Sequence, residues 1–526
     1  MSDTPATTPE DDNSSDKRPP DTAVTLPYAP AMNEPPPRHK LGRTYWLCNV
    51  IEMWERLAYY VLRPVAPIYI CQATEPGGLH LAQTTKGWIY MWWAIFQSFL
   101  PMVTGGLADR YGYKKTIFFA VTMNIIGYLM MAFMHSYYGF FAGIIVLAIG
   151  TAFFKPGLQG TIAHQLRKEN SSLGWGIFYW VVNVGSLIGH YLSPLLIGPA
   201  HDVEGWRTLF LFCAGCTSMN YLMLLTFKDV PSGASKTENP LQVLGRTLSN
   251  IFEARLITWL LIMSCFWLMM YQLWDLQPNF IEDWIDSSMV AAHMPIESWK
   301  EIGDRGIMRV PQQVLISLNA LMIVLLMVPV SWMVRKMRTL SAMLIGMTVA
   351  TGGLLVAGLT GNGWILLLGI VLYSLGEMLT GPKKNEYLGL IAPPGKKGLY
   401  LGYVNIPIGV GVGFGSWMAG QLYGAYGEKA TLALKYLMQK TPFGDGKTWD
   451  GASKTLEAAS GVPRTEAFVK LQEVLGIDGV QATQLLWDTY HPQYHVWLPF
   501  AAIGVIAAIS LGIFGQLAKR WKDMNA

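Results

Sequence analysis

The chain has 526 residues, of which 52% are hydrophobic and 14% are charged. Soluble globular domains carry about 25% charged residues, so this composition excludes an ordinary soluble domain. The formal net charge is only +4, so the placement of Lys and Arg along the chain is more informative than their number. A net charge this small gives no reason to expect a nucleic-acid partner.

Apolar segments recur along the whole chain and predict an all-α membrane protein. A helix needs about 20 residues to cross a bilayer, and twelve segments are long enough. They divide into two six-helix halves. The twelve predicted spans lie near residues 42–72, 84–108, 114–135, 137–165, 173–198, 206–228, 255–283, 311–335, 339–360, 363–391, 397–426 and 495–519.

The segments between and around the spans predict the domain organisation. Residues 1–40 are rich in Pro, Thr, Ser and Asp, which predicts a disordered cytoplasmic tail. The N-terminal half is expected at 41–228, a cytoplasmic linker at 229–254 and the C-terminal half at 255–526. Within the last half, residues 427–494 form a small extracytoplasmic insert with three short amphipathic helices. The insert is either a structural cap over the outer mouth or a partner-binding module.

Lys and Arg cluster in the loops on one side of the predicted spans. The short loops on the other side, near 136–139, 198–206 and 361–363, contain none. The positive-inside rule therefore places both termini in the cytoplasm. We expect a multi-pass protein of the cell membrane (the inner membrane in a Gram-negative cell) that contacts the lipid bilayer and is monomeric.

The first span carries an unusual number of charges. Glu52, Glu55, Arg56 and Arg63 lie in a segment otherwise apolar enough to cross the membrane. Charges at membrane depth are costly unless they are paired or face a water-filled cavity, so they are candidates for function. One Glu52–Arg56 ion pair could be purely structural, but four charges favour a functional site.

Residues Gly105–Lys115 resemble the loop between spans 2 and 3 of the major facilitator superfamily. Gly105 allows close helix approach, and Gly112 permits a tight turn. A shorter basic stretch, Arg335–Arg338, lies at the equivalent place after span 8. Two related halves with a substrate site between them at mid-membrane are typical of transporters.

Four further stretches narrow the resemblance. Glu52–Tyr60, Phe153–Gly157, Phe178–Ser186 and Gly376–Pro382 are similar, in that order, to motifs on spans 1, 4, 5 and 10 of the proton-dependent oligopeptide transporter family. The likeness covers the spans but not the insert. It implies a symporter that couples proton flow to the import of di- or tripeptides by alternating access.

The resemblance also implies roles for individual residues. Arg56 and Lys155 would meet the substrate carboxylate and Glu377 its amino group, and Lys155 and Glu377 would form a charge pair that substrate or a proton breaks. The implied proton-coupling residues are Glu52, Glu55, Arg56, Lys155 and Glu377. The implied substrate-binding residues are Arg56, Tyr59, Tyr60, Lys155, Asn183, Asn319 and Glu377. The two tyrosines could instead be packed aromatics, and the two asparagines could join helices.

The chain departs from the family pattern in spans 2, 7 and 10, and Ser98 stands where span 2 of the family often has a substrate-contacting Tyr. Tyr271 stands where a Glu is usual in span 7, and Asp275 follows one turn later. Because Arg63 and Asp275 lie at matching depths on outward-running helices, they are predicted to form an outer gate. In span 10, Lys383 and Lys384 either reach the cytoplasmic interface or alter the cavity toward more acidic substrates.

Other classes of function are less consistent with the residues. The nearest alternative is a proton-coupled carrier of another small solute, such as an amino-acid derivative or an organic anion. A membrane-embedded enzyme is disfavoured because no nucleophile elbow, phosphate loop or metal-binding His cluster is evident in the sequence. A channel is disfavoured because paired buried charges on both halves suit gating better than an open pore. The five Cys residues lie in or beside apolar segments and indicate packing. No metal site and no cofactor are expected.

Overall fold

The computed structural model describes residues 41–167, 170–229, 253–391 and 403–518. The predicted tail and most of the predicted linker lie outside the described residues. The remaining chain is almost entirely helical, with one short strand pair. Its helices form two bundles, one from the residues before the linker and one from the residues after it.

The N-terminal half consists of antiparallel helices joined by short loops. The first predicted span breaks near Pro64, and the second breaks at Pro101, which is the first residue of α4 and cannot donate a main-chain hydrogen bond. The helices are α1 (Arg43–Leu62), α2 (Ala66–Cys71), α3 (Gln83–Phe99), α4 (Pro101–Tyr111), α5 (Tyr113–Phe133), α6 (Tyr137–Gln165), α7 (Ser171–Ile197) and α8 (Val203–Leu224).

The C-terminal half has the same layout, with its first span divided into three helices. The helices are α9 (Ala254–Met270), α10 (Gln272–Asp275), α11 (Gln277–Trp284), α12 (Ser288–His293), α13 (Gln312–Val334), α14 (Thr339–Gly358), α15 (Gly363–Ile391), α16 (Asn405–Tyr426) and, after the insert, α21 (Pro492–Ala518). Between α12 and α13, strands β1 (Glu301–Ile302) and β2 (Met308–Arg309) pair antiparallel, with Glu301 opposite Arg309.

The insert carries helices α17 (Lys429–Lys440), α18 (Leu456–Ser460), α19 (Ala467–Leu475) and α20 (Gly479–Tyr490). Three of these coincide with the three amphipathic helices expected from the sequence, and α18 is additional. Leu432, Phe468, Leu471 and Leu486 are buried where these helices pack together. We call the end of the bundle that carries this segment the insert end, and the other the opposite end.

Eight helical segments among the described residues are long and apolar enough to cross a membrane. They include α5, α6 and α7 in the first half, and α13, α14, α15 and α21 in the second. The other predicted spans are also helical but are not among these eight segments. The helix α1 carries four charges, one predicted span is divided into α3 and α4, and α16 is rich in glycine.

The halves contact each other along two seams, where α3 packs on α16 and α7 packs on α13. The first seam depends on glycine. A Cβ atom on Gly87 would lie 2.8 Å from the main-chain oxygen of Ser416, and one on Gly420 would lie 2.6 Å from that of Gln83. These contacts bring the two backbones closer than any side chain would allow.

Candidate functional site

A polar cavity of about 490 Å³ lies between the two halves. It extends from Arg63, near the insert end, to Gly105 and Asn405, nearer the opposite end. Its wall combines aromatic and polar side chains with one cation at mid-depth. The polar and charged lining residues include Tyr59, Arg63, Tyr90, Gln97, Ser98, Lys155, Gln159, Tyr271 and Asn405.

Arg56 is held by both glutamates of α1. Its Nε donates to Glu55 Oε2 at 2.5 Å, Nη2 also contacts Glu55, and Nε lies 3.3 Å from Glu52 Oε1. All three side chains are at most 6% exposed, and the guanidinium carbon lies 4.9 Å from the centre of the Tyr59 ring. With both carboxylates ionised, Arg56 is already neutralised. A substrate carboxylate could reach it only in competition with them.

Lys155 lies on α6 and lines the cavity. In the part of the chain that the structure describes, its ammonium group makes no hydrogen bond or ion pair. Glu52 and Glu55 act on it electrostatically, but both bind Arg56. Lys155 is therefore a cation available to a ligand.

Glu377 on α15 is held within its own half. Asn319 Nδ2 on α13 donates to Glu377 Oε2 at 2.9 Å and lies 3.0 Å from Ser374 Oγ. The charge that acts on Glu377 is that of Lys384, two turns further along the same helix. The expected pair between Lys155 and Glu377 is not among the ion pairs of the described residues, because Asn319 and Lys384 stabilise this carboxylate from within its own half.

The remaining predicted substrate ligands take different positions. Tyr59 lines the cavity, and its hydroxyl donates to Gln97 Oε1 at 3.3 Å. Tyr60 stacks on His190, with ring centres 5.9 Å apart, and lies 6.1 Å from the Trp274 ring. Asn183 donates to the main-chain oxygen of Tyr179 on its own helix at 2.9 Å. Tyr60 and Asn183 are not among the residues that line the cavity.

The structure brings Arg63 and Asp275 together at the insert end of the cavity. Arg63 Nη2 lies 2.5 Å from Asp275 Oδ1, with the side chains 7% and 1% exposed. The Ser416 hydroxyl also donates to Asp275. The guanidinium lies 4.3 Å from the Tyr90 ring centre and 4.8 Å from that of Trp93. This pair joins α10 of the second half to the end of α1 in the first.

Further hydrogen bonds between the halves lie beside this pair. Lys86 Nζ donates to the main-chain oxygen of Asp275 and to Asn279 Oδ1, each at 2.9 Å. Gln72 donates to Asp283 at 2.8 Å, and Gln312 donates to the main-chain oxygen of Pro64 at 2.8 Å. Among the described residues, these hydrogen bonds and the Arg63–Asp275 pair join the halves at the insert end and close the cavity on that side.

The insert contributes to this closure through Arg464. Its Nη1 binds Glu428 at 2.6 Å, and its Nη2 donates to the main-chain oxygens of His80 and Leu81 at 2.7 and 2.8 Å. Gln83 in turn donates to Glu428 at 3.3 Å. A segment of the C-terminal half is thus bonded to the first loop of the N-terminal half.

His201 links the halves at the surface of the insert end. Its Nδ1 lies 2.9 Å from Glu75 and its Nε2 lies 3.2 Å from Glu301, which also binds Arg309 at 2.9 Å. Burial lowers the pKa of His201, but hydrogen bonds to Glu301 and Glu75 and their charges outweigh burial and raise the pKa to about 10. The imidazolium is therefore charged near neutral pH.

Sequence reasoning missed several residues of this site. The sequence signal that could have identified three of them is a polar side chain inside or beside an apolar span, as at Lys86, Gln97 and Gln159. Arg464 and His201 lie in loops where charges are ordinary, so no local signal marked them.

A family model described as the Major Facilitator Superfamily matches residues 53–416. The uncharacterized transporter YclF of Bacillus subtilis (strain 168) is 31% identical over 202 residues, which cover 36% of this chain and 39% of that protein. The peptide transporter YePEPT of Yersinia enterocolitica (subsp. palearctica serotype O:3, strain YE-P4) is 27% identical over 188 residues, 34% of this chain and 35% of its own length. The chain thus aligns with little more than a third of either relative.

Among solved structures, a POT family transporter crystallised with 5-aminolevulinic acid has a TM-score of 0.60 at 16% identity. That match covers 86% of this chain and 96% of the other. At this identity the likeness shows the fold, which is the predicted one of two helical halves around a central cavity. The family match extends over more than half of the sequence, and the chain belongs to the major facilitator superfamily.

Proposed function

We propose that this protein is a proton-coupled symporter that imports di- or tripeptides by alternating access. The observation that carries the proposal is a cavity between the halves that is lined by Lys155, a cation with no ion pair among the described residues. The carboxylates of Glu52 and Glu55 act on Lys155 electrostatically. A zwitterionic peptide presents the complementary charges. The partial alignment with the peptide transporter YePEPT agrees with this class of substrate, and the one with YclF, a transporter by name, agrees with transport alone.

The proposed orientation follows from the positive-inside rule. The Lys and Arg residues of the short loops lie at the opposite end, which is cytoplasmic, and the insert end faces outward. The contacts between the halves at the insert end, among the described residues, agree with a state that is closed to the outside. Import requires the Arg63–Asp275 pair and its neighbours to separate so that the halves rock about the central site.

Proton coupling is assigned to the carboxylates that neutralise cations in the cavity. A proton on Glu52 or Glu55 removes one of the two negative charges that surround Arg56. The group then loses its net negative charge and no longer repels a substrate carboxylate. A proton on Glu377 removes the charge that would bind the substrate amino group. Each protonation therefore changes which ligand the cavity binds, as a symporter requires. We propose that the protein does this as a monomer.

The test is uptake by purified protein in proteoliposomes with an inward proton gradient and a library of di- and tripeptides. We expect saturable uptake that depends on the gradient, and a loss of at least about tenfold in gradient-driven uptake in Glu377→Gln. Glu386→Gln is the matched control, because Glu386 lies on the same helix and binds Lys383. Uptake that neither saturates nor depends on the gradient would favour a channel.

A second candidate keeps the mechanism and changes the solute. The structural neighbour crystallised with 5-aminolevulinic acid shows that the same fold holds a small amino-acid derivative. Competition between this compound and dipeptides in the same uptake assay separates the two candidates. Gradient-driven uptake of the amino-acid derivative without uptake of any peptide would replace the first candidate by the second.

A further inference from the structure

The two neighbouring lysines of α15 have different surroundings. Lys383 Nζ binds the carboxylate of Glu386 at 2.8 and 3.1 Å, one turn along the same helix. Lys384 Nζ lies 4.1 Å from the centre of the Trp267 ring. Within the described residues, Lys384 makes no hydrogen bond and no ion pair. Only one of the two lysines therefore has a bound carboxylate.

Lys384 adjoins the wall of the central cavity. The Trp267 ring beneath it lies 5.7 Å from the ring of Tyr271, which lines the cavity. The ammonium group of Lys384 also interacts electrostatically with Glu377 and with Lys155. Since Lys155 lies on α6 of the other half, each half contributes a lysine to the same region.

The carboxylates near these cations are already engaged. Glu52 and Glu55 bind Arg56, and Glu377 accepts a hydrogen bond from Asn319. Within the described residues neither ammonium group binds a carboxylate directly, although Glu377 offsets part of the Lys384 charge from a distance. The mutual repulsion of the two ammonium groups is unfavourable in a partly desolvated region. The Trp267 face stabilises Lys384 only in part, since a cation–π contact is weaker than a charge-assisted hydrogen bond.

We propose that Lys155 and Lys384 form a dicarboxylate subsite, which makes acidic peptides the preferred substrates. The proposal rests on the peptide-transport function proposed above. The C-terminal carboxylate of the peptide binds Lys155, and an Asp or Glu side chain binds Lys384. The subsite spans both halves, so an acidic substrate joins them as it neutralises both cations.

The experiment compares Ala-Glu with Ala-Gln, which differ only in the charge of one side chain. The full-length protein is reconstituted in proteoliposomes, and kcat/KM is measured for each peptide under an inward proton gradient. We expect wild-type protein to favour Ala-Glu by at least tenfold, and Lys384→Gln to lower the ratio of the two kcat/KM values about tenfold. Lys384→Arg keeps the positive charge and should keep the preference.

Lys383→Gln is the control, since it removes a lysine from the adjacent position of the same helix and should leave the ratio unchanged. A wild-type ratio near one overturns the proposal without reference to any variant, as does a ratio that Lys384→Gln leaves unaltered. Loss of the preference in Lys383→Gln as well as in Lys384→Gln would also overturn it. If wild-type protein takes up neither peptide, the peptide-transport function itself fails, which is a distinct result.

Discussion

Replacing Asp275 with Asn tests whether the Arg63–Asp275 pair holds the insert end closed. Both side chains are almost completely buried in this state, and the substitution leaves the Arg63 charge without its carboxylate. Removing one partner of a buried ion pair costs about 3–5 kcal/mol. Water can reach Arg63 when the halves separate at this end, so the cost falls on the closed state.

The expected shift can be estimated from this cost. Asn can still accept a hydrogen bond from Arg63, so we take a destabilisation of about 2 kcal/mol, which moves the closed-to-open equilibrium about thirtyfold toward opening. Cys71 is a native reporter of that equilibrium. Its thiol is fully buried, 3.2 Å from Gln83 Oε1 and 3.7 Å from Asn279 Oδ1 of the other half.

The assay is the rate at which a water-soluble thiol reagent modifies Cys71 in purified protein. Cys265, the one cysteine that is not buried, is first replaced by Ala. We expect Asp275→Asn to raise the rate of Cys71 modification about thirtyfold, and Glu386→Gln, a carboxylate change at the opposite end, to leave it unaltered. Adding Arg63→Gln to Asp275→Asn removes the unpaired charge and should return the rate toward that of wild type. An unchanged rate in Asp275→Asn would refute the assignment of this pair as a gate.

Three further predictions concern other contacts between the halves at the insert end. In Arg464→Ala the buried Glu428 carboxylate loses its cation, and two main-chain oxygens lose a hydrogen-bond donor. The free energy of unfolding should therefore fall by about 2–4 kcal/mol, which is measured as a lower melting temperature. The pKa of His201 rises from the ordinary 6.5 to about 10. The stability that the protonated imidazole contributes is therefore complete below pH 6.5, declines as the pH rises toward 10 and is absent above pH 10. The difference in melting temperature between wild type and His201→Gln should therefore shrink from pH 6 to pH 10, and a difference that grows with pH would contradict the assignment. In Gly420→Ala the new methyl group meets the main chain of Gln83 and Gly87, so the seam between α3 and α16 must widen, with a loss of about 1–3 kcal/mol in unfolding experiments and slower uptake.

Much of the architecture was predictable from the sequence because each span is an apolar segment of membrane length. The same reasoning located Arg63 and Asp275, since counting residues along two helices that run in one direction gives their depth. Depth and helical face follow from position along a single helix, and neither needs knowledge of the neighbouring helices.

The partners of the buried charges were not predictable in the same way. The family resemblance implied that Lys155 and Glu377 pair, whereas in the structure Asn319 donates a hydrogen bond to Glu377 and Lys384 acts on it electrostatically. Arg56 lies against both Glu52 and Glu55, the two glutamates that the sequence places beside it on the same helix. Pairing depends on the distance between two helices and on which of their faces meet. Both are set by the packing of helices that are far apart in the sequence.

The sequence by itself determined that charged residues lie within a membrane-spanning bundle of two halves, because hydrophobic length and helical periodicity are local properties. Only the tertiary structure decided how the described cations and carboxylates pair, how the insert reaches the N-terminal half through Arg464, and which side of the cavity these contacts close. Those features depend on contacts between residues more than two hundred positions apart, such as Arg63 with Asp275 and Arg464 with His80. The close approach of the backbones at Gly87 and Gly420 helps to set such contacts.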